Sequence, residues 1–303
     1  MGQSPLRACP RRLSRKLLPC VAHSVWLLSA AFGMAQQNKT FVDMTPAEVA
    51  NAVPELKHLK PAESQDMLPQ VLQRAGAAVA VFFDNFSNTA CTEHVTSNVD
   101  TALQISALHY DNKYNYVALA QAGAAKGRLR EYRTDIKGEP MQPDARTGVV
   151  TFGFVALSVH FHPDYQADSR FRYLGRETME KQDTFVVAFA QRPKVARQTA
   201  SVEFLGKSGV VYMQGVVWID PENFRIIRLR TDIQQPESNV GLLKETTQVL
   251  YSGVTFAQND KTLWLPREVT VTGQLDKYTF HNQHRYADYR LFIVQVEQKQ
   301  DKP

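Results

Sequence analysis

From about residue 89 onward, apolar and polar side chains alternate with a period close to two. In 263–275, Leu263, Leu265, Val269, Val271 and Leu275 share one side, while Trp264, Glu268, Thr270, Thr272 and Gln274 share the other. That is the pattern of a strand with one buried and one wetter face. The same reading predicts strands at 101–110, 113–121 and 128–136, with Asp111-Asn112 and 123–127 as turns. Further strands follow at 170–176, 184–191, 200–205, 210–219, 224–233, 246–256 and 278–296, with 206–209 as a tight turn. Charged residues within 128–133 point to a solvated face, a sheet edge or a strand crossing a water-exposed concavity. Between 210–219 and 224–233 stands Asp220-Pro221-Glu222-Asn223, where proline presets φ for a type I turn and Asp220 and Asn223 can bond nearby backbone. The two runs therefore read as a β-hairpin.

Before residue 89 the period is that of a helix. Met67, Val71, Ala75, Val79, Phe82 and Phe86 recur at spacings of three and four within 64–86, one apolar stripe suited to packing on a sheet. Pro69 is tolerated only in a first turn, so the regular helix is predicted to start near it. A shorter helix opens with Thr45-Pro46-Ala47-Glu48, a capping box with proline at the first helical position, and stops near Val53 ahead of Pro54. The segment 149–161 is apolar almost throughout; a short helix ending before His162-Pro163 is preferred over a strand.

Composition adds a compartment. The chain has 303 residues, 44% of them hydrophobic, enough to bury a real core, and a net charge of +5. Arg7, Arg11, Arg12, Arg15 and Lys16 all precede the first acidic residue and account for that whole excess. A basic start, an apolar run at 21–32 and the small-residue site Gly33-Met34-Ala35 predict a signal peptide over 1–35, cleaved after Ala35. The run is too short for a bilayer anchor, so no permanent span is expected after cleavage. The near-neutral remainder and the predicted export argue against a nucleic-acid partner. Cys9 and Cys20 leave with the signal, so Cys91 has no intramolecular partner and is read as a small buried hydrophobe.

Chemical motifs are sparse. Gly206-Lys207-Ser208 fails as a phosphate loop: the first glycine of that motif would fall at Ser201, and a strand follows instead of a helix. The sequence contains no G-x-S-x-G, S-x-x-K or H-E-x-x-H. On a strand, His160 and His162 would face the same way near Asp164, but two histidines do not close a metal site, and loop or sheet histidines are the preferred reading. Arg225, Arg228 and Arg230, with Arg285 and Arg290, are read as a solvated sheet face because Asp220, Glu222 and Asp232 are interspersed.

The residues Phe171-Arg172-Tyr173-Leu174-Gly175-Arg176-Glu177, the run 184–189, and Gly215-Val216-Val217-Trp218-Ile219-Asp220 with Phe224-Arg225-Ile226-Ile227-Arg228 resemble the lipoprotein-carrier (LolA-like) superfamily. Tyr286-Ala287-Asp288-Tyr289-Arg290-Leu291-Phe292 also resembles uncharacterised secreted proteins of acidobacteria. The resemblance implies an unclosed antiparallel barrel wrapped on helices, with an apolar cavity for acyl chains. The run 210–219 suits this: Val211, Met213, Val217 and Ile219 lie on one face and Val210, Tyr212, Val216 and Trp218 on the other. One face can pack on helices while the other meets core or ligand.

The expected fold is α+β, mainly β: a large antiparallel sheet or unclosed barrel with N-terminal helices packed against it. Its organisation is a signal peptide at 1–35, a helical segment at 36–88, the open-barrel domain at 89–296 and a polar tail at 297–303. The expected function is that of an exported envelope protein, periplasmic or secreted, binding a lipid or lipoprotein without catalysis or cofactor. The cavity candidates are Val211, Met213, Val217, Trp218, Leu265, Val269 and Val271, with His160 and His162 as the weaker metal candidates. The alternative is an envelope protein-interaction or sensor module whose barrel interior is packed.

Overall fold

The turn at Asp220 holds two long strands in register through side-chain bonds that the sequence supplies locally. Asp220 Oδ1 accepts from the Glu222 N–H at 2.8 Å and Oδ2 from Asn223 Nδ2 at 2.9 Å. Phe224 then closes the loop at φ +58°, a conformation seldom taken by an aromatic residue, and its ring is buried. The computed structural model describes residues 39–101, 106–120, 129–135, 137–139, 141, 153–204, 206–257 and 260–291. The predicted signal peptide, the turn at 123–127, most of the 138–148 loop and the polar tail lie outside them.

Strands β1 (Lys60–Pro61), β2 (Thr89–Thr101), β3 (Ser106–Ala120) and β4 (Leu129–Thr134) are followed by β5 (Ser169–Met179) and β6 (Gln182–Gln191). Then come β7 (Ala200–Phe204), β8 (Lys207–Val211), β9 (Met213–Ile219) and β10 (Ile226–Ile233). The series ends with β11 (Leu242–Phe256), β12 (Lys261–Leu275) and β13 (Tyr278–Leu291). Eleven strands form one sheet in the order β1-β5-β6-β9-β10-β11-β12-β13-β2-β3-β4, and β7-β8 form a separate hairpin. Every pairing is antiparallel. The end strands β1 and β4 do not pair with each other among the described residues, so the sheet is unclosed.

Both helices begin where local chemistry places them. Helix α1 (Pro46–Ala52) has Thr45 as its cap: Thr45 Oγ1 accepts from the Glu48 N–H, and Glu48 Oε2 accepts from the Thr45 N–H at 2.7 Å. Helix α2 (Leu68–Asp84) has Pro69 in its first turn and buries Val71, Ala75 and Val79. Gly76, in its middle, is explained by a neighbour: an added Cβ would lie 2.5 Å from Gln166 Nε2 and 3.0 Å from Phe161 O. It lets the 3₁₀ turn Leu157–Phe161 approach the helix backbone.

The helices occupy opposite faces of the sheet. On the inner face, Val71, Ala75 and Val79 join one cluster with Phe185, Val187, Val217, Ile219, Leu229, Val249, Leu265, Val269 and Val271. On the outer face, α1 and the 3₁₀ turn Pro54–Leu56 bring Val49, Val53 and Leu56 against Leu174, Val186, Val216, Trp218 and Ile227. Ionic contacts pin this strap: Arg170 bonds Asp43 at 2.6 and 2.7 Å, and Arg230 bonds Glu55 at 2.8 Å. The strap ends in β1, whose close approach to β5 requires Gly175, at φ +132°, where a Cβ would lie 2.0 Å from Lys60 O.

Several expectations are corrected here. Asp111-Asn112 is not a turn: both lie inside β3, paired with Thr96 and Val95. The 206–209 turn is shorter, because Lys207 already pairs with Phe204 and Gly209 with Val202. The single strand predicted at 210–219 is two, since Val211 ends β8 in the hairpin and Met213 starts β9 in the main sheet. The arginines of β10 are not a solvated face, because the N-terminal strap covers them: Arg230 is 8% exposed and ion-paired, and Arg228 is half-buried over the Trp218 ring. Of the short helix preferred for 149–161, residues 149–152 lie outside the described residues, and the rest ends in the 3₁₀ turn Leu157–Phe161 with His162 as its cap.

Candidate apolar cavity

An opening of about 130 Å³ lies between α2, the 3₁₀ turn at Ser158 and the β9–β10 and β11–β12 turns. Helix α2 contributes Ala78, Val79, Val81 and Phe82, and its C-cap Asn85 continues their helical spacing along one side. The sheet contributes Ile226, Tyr251, Leu263 and Trp264. Val79, Ile226 and Leu263 also belong to the inner core, so the opening runs from surface to core. Val81, at its mouth, is 60% exposed. Trp264 packs against both hydrophobic clusters and anchors its indole by donating Nε1–H to Ile226 O at 2.7 Å. Tyr251 donates its hydroxyl to Phe154 O at 3.0 Å, and burial pushes its phenol far above the usual range. A wall of aliphatic and aromatic carbon with a few fixed polar atoms is what an apolar guest requires.

The sequence candidates divide between places. Val211, Val217, Leu265, Val269 and Val271 meet in the inner cluster. Met213 is half-buried at the start of β9. Trp218 is on the other face, fully buried beneath α1, with Nε1–H donated to Glu177 Oε2 at 2.7 Å. None of these seven lines the opening. His160 lies in a 3₁₀ turn instead of a strand, His162 caps that turn, and the two have separate surroundings. His160 stacks on Phe189 at 5.3 Å, and burial lowers its pKa to about 4; His162 Nδ1 accepts from the Asp164 N–H at 3.2 Å. No group of three metal-binding side chains occurs among the described residues.

No family model matches the chain, and no curated protein matches it. Three solved structures are similar in outline. One, from Vibrio parahaemolyticus, is described as an outer membrane lipoprotein-sorting protein domain; it has 13% identity over 76% of this chain and 95% of its own, with a TM-score of 0.40. A DUF1329-family protein of Desulfovibrio piger has 8% identity over 76% and 95% of the two chains, with a TM-score of 0.38. A LolA-superfamily protein of Nitrosomonas europaea has 11% identity over 75% and 94%, with a TM-score of 0.38. None bears on the acidobacterial resemblance. Likeness at this level carries no argument, so the chemistry of the cavity rests on its own residues.

Away from the opening, a buried polar group is set into the otherwise apolar inner face. Glu93 on β2 is fully buried and forms a two-pronged ion pair with Arg133 on β4, one prong at 2.7 Å. The same carboxylate receives His284 Nδ1 at 2.9 Å and the Tyr286 hydroxyl at 2.8 Å from β13. Burial alone would raise the Glu93 carboxyl, but Arg133 and His284 outweigh it and hold it at about 2. Burial drives the His284 pKa down despite the carboxylate. A neutral ring donating from Nδ1 has Nε2 as an acceptor, and that atom has no hydrogen-bond partner among the described residues. Beside this group, Glu131 takes the Tyr116 hydroxyl and the Val155 and Ala156 N–H groups, tying β4 to the segment that leads into the 3₁₀ turn. Burial, with Glu93 nearby, pushes the Cys91 thiol to about 12, so it is protonated at neutral pH.

The cavity lining left signals in the sequence. Val81 is an apolar residue off the buried stripe of α2, and Trp264 is a large aromatic on the predicted wet face of β12. Each is out of place for a packed helix or strand. The buried ions left a fainter signal, a charged or polar residue at an inward alternation on β2 and on β13.

Proposed function

We propose that this chain is an exported envelope protein that takes the apolar chain of a lipid or lipidated protein into the α2–β11–β12 opening, by enclosure and without covalent chemistry. One observation carries the reading: an apolar-walled opening reaches the inner core beside α2, with an exposed valine at its mouth. An apolar cavity of about 150 Å³ accepts a benzene-sized guest, so about 130 Å³ suits a stretch of roughly six carbons. A longer chain would continue outward past Val81.

Native mass spectrometry of the protein isolated from bacterial envelope extracts tests this directly, and copurified lipid is expected. Ala78→Phe should fill the opening and weaken 1-octanol binding at least about tenfold without unfolding the protein. An empty chain with no affinity for octanol would overturn the proposal and favour the protein-interaction or sensor reading. Peptide mass mapping of the exported form should begin at Gln36; a mature chain retaining Met1 would refute signal cleavage.

A further inference from the structure

The rim of the opening is charged with one sign. Its lining includes Arg225 and Lys261 and, among the described residues, no aspartate or glutamate. Arg225 is exposed, with its guanidinium 5.3 Å from the centre of the Trp264 ring. Lys261 Nζ donates to Ser87 Oγ at 2.6 Å, which holds the ammonium at the edge of the β11–β12 hairpin. Arg74, one turn before Ala78 on α2, adds a third cation, its guanidinium 3.8 Å from the centre of the Phe224 ring. Two aromatic faces thus orient two arginines by cation–π contact. The carbonyl end of α2 could oppose an anion. Its Val81 O is already taken by both the N–H and the Nδ2 of Asn85. Asp84, Glu222 and Asp260 are near in sequence, Asp260 directly before Lys261, but none of them lines the opening.

We infer that the opening selects amphiphiles with an anionic head group, the apolar chain entering between Val79 and Leu263 while a carboxylate or phosphate stays at the rim with Arg225 and Lys261. This rests on the reading that the opening takes an apolar chain, and it adds a choice among such guests. A guanidinium and an ammonium both offer charge-assisted hydrogen bonds to oxygen anions. An ammonium head would instead meet two like charges without a lining carboxylate. Positive potential at the mouth also steers an anion inward, an effect that weakens with salt.

NMR titration of the full chain with octanoate, 1-octanol and octylamine at neutral pH separates chain from head group. Octanoate is expected to bind about tenfold more tightly than octanol, with octylamine weakest. Added salt should narrow the gap between octanoate and octanol. Arg225→Gln with Lys261→Gln should abolish the gap between octanoate and octanol, and Arg225→Glu should move octylamine ahead of octanoate. Circular dichroism checks that each variant is folded; Arg225→Gln alone, at an exposed position, should still shrink the gap if loss of the Ser87 bond disturbs the double variant. Equal affinity for the three guests, or a preference that survives both glutamine substitutions, overturns the anionic selection and leaves the apolar cavity standing. If no guest binds, both readings fall.

Discussion

At the scale of the residue, the Glu93–Arg133 pair is the group whose loss should be felt most. Both side chains are at most 1% exposed, so removing one leaves the other charged in the interior with this ion pair lost. Glu93→Ala is expected to cost about 3–5 kcal/mol in urea denaturation. Replacing both by apolar residues, Glu93→Leu with Arg133→Met, should recover most of that loss. A double variant as unstable as the single would mean that the His284 and Tyr286 bonds carry the stability instead. This group was the least legible part of the chain. Seen from β2 alone, Glu93 is a charge in phase with Cys91 and Val99 with nothing to name its partner, and the charges of 128–133, Arg133 among them, fit a solvated face, an edge or a concavity equally. Only the pairing of β2 with β13, and the crossing of Tyr116 between β2 and β4, makes them neighbours. Thr45 and Asp220 were legible because their partners are three residues away or fewer.

At the scale of the element, β9 separates two roles that its sequence superposes. Val217 and Ile219 face the inner core, while Val216 and Trp218 seat the N-terminal strap. Trp218→Phe keeps most of the ring but deprives Glu177 Oε2 of its indole donor, so a loss of about 1–3 kcal/mol is expected by thermal denaturation. Octanoate affinity should not change, because Trp218 is on the opposite face from the inner cluster. Trp264→Ala, which removes a lining residue, should weaken binding instead. An equal fall in affinity for both variants would place the guest elsewhere. The apolar pattern of 210–219 announced two buried faces. It could not say that Tyr212 divides the run between two sheets, since a strand passing from a hairpin to a larger sheet keeps its alternation. Similarly, Asp111-Asn112 has turn chemistry, yet pairing with Thr96 and Val95 of β2 overrides it.

At the scale of the whole molecule, two separate groups give opposing pH dependences. Glu245, half-buried on β11, has its carboxyl raised by burial from 4.5 to about 7. The folded chain therefore holds this proton more tightly than the unfolded chain, and stability falls as pH rises from 4.5 to 7. Burial lowers His160 from 6.5 to about 4. Its contribution is complete above 6.5 and is lost as pH falls towards 4. The two slopes largely cancel where they overlap. Relative to the parent, Glu245→Gln is expected to tilt stability towards a rise with pH across the shared window, and His160→Phe towards a decline. Each should amount to about 1–3 kcal/mol, since one pKa unit corresponds to about 1.4 kcal/mol and water near Glu245 reduces its share. Denaturant midpoints measured at pH 4.5 and 6.5 check both signs; two variants that both track the parent would remove these groups as the cause.

The strand order brings β2 against β13, and the buried polar group straddles that junction. Glu93 bonds His284 and Tyr286 across 191 and 193 residues of chain. Contacts so distant in sequence carry a large loop-closure cost and form slowly. Synthesis must run to the final described strand before β2, β3 and β4 can join the rest of the sheet. Until then two sheet fragments coexist, each with an unpaired margin able to find a strand of another molecule. The junction thus acts as the molecule's clasp in time as well as in space: a chain kept unfolded until fully made avoids that hazard, and one released early meets it.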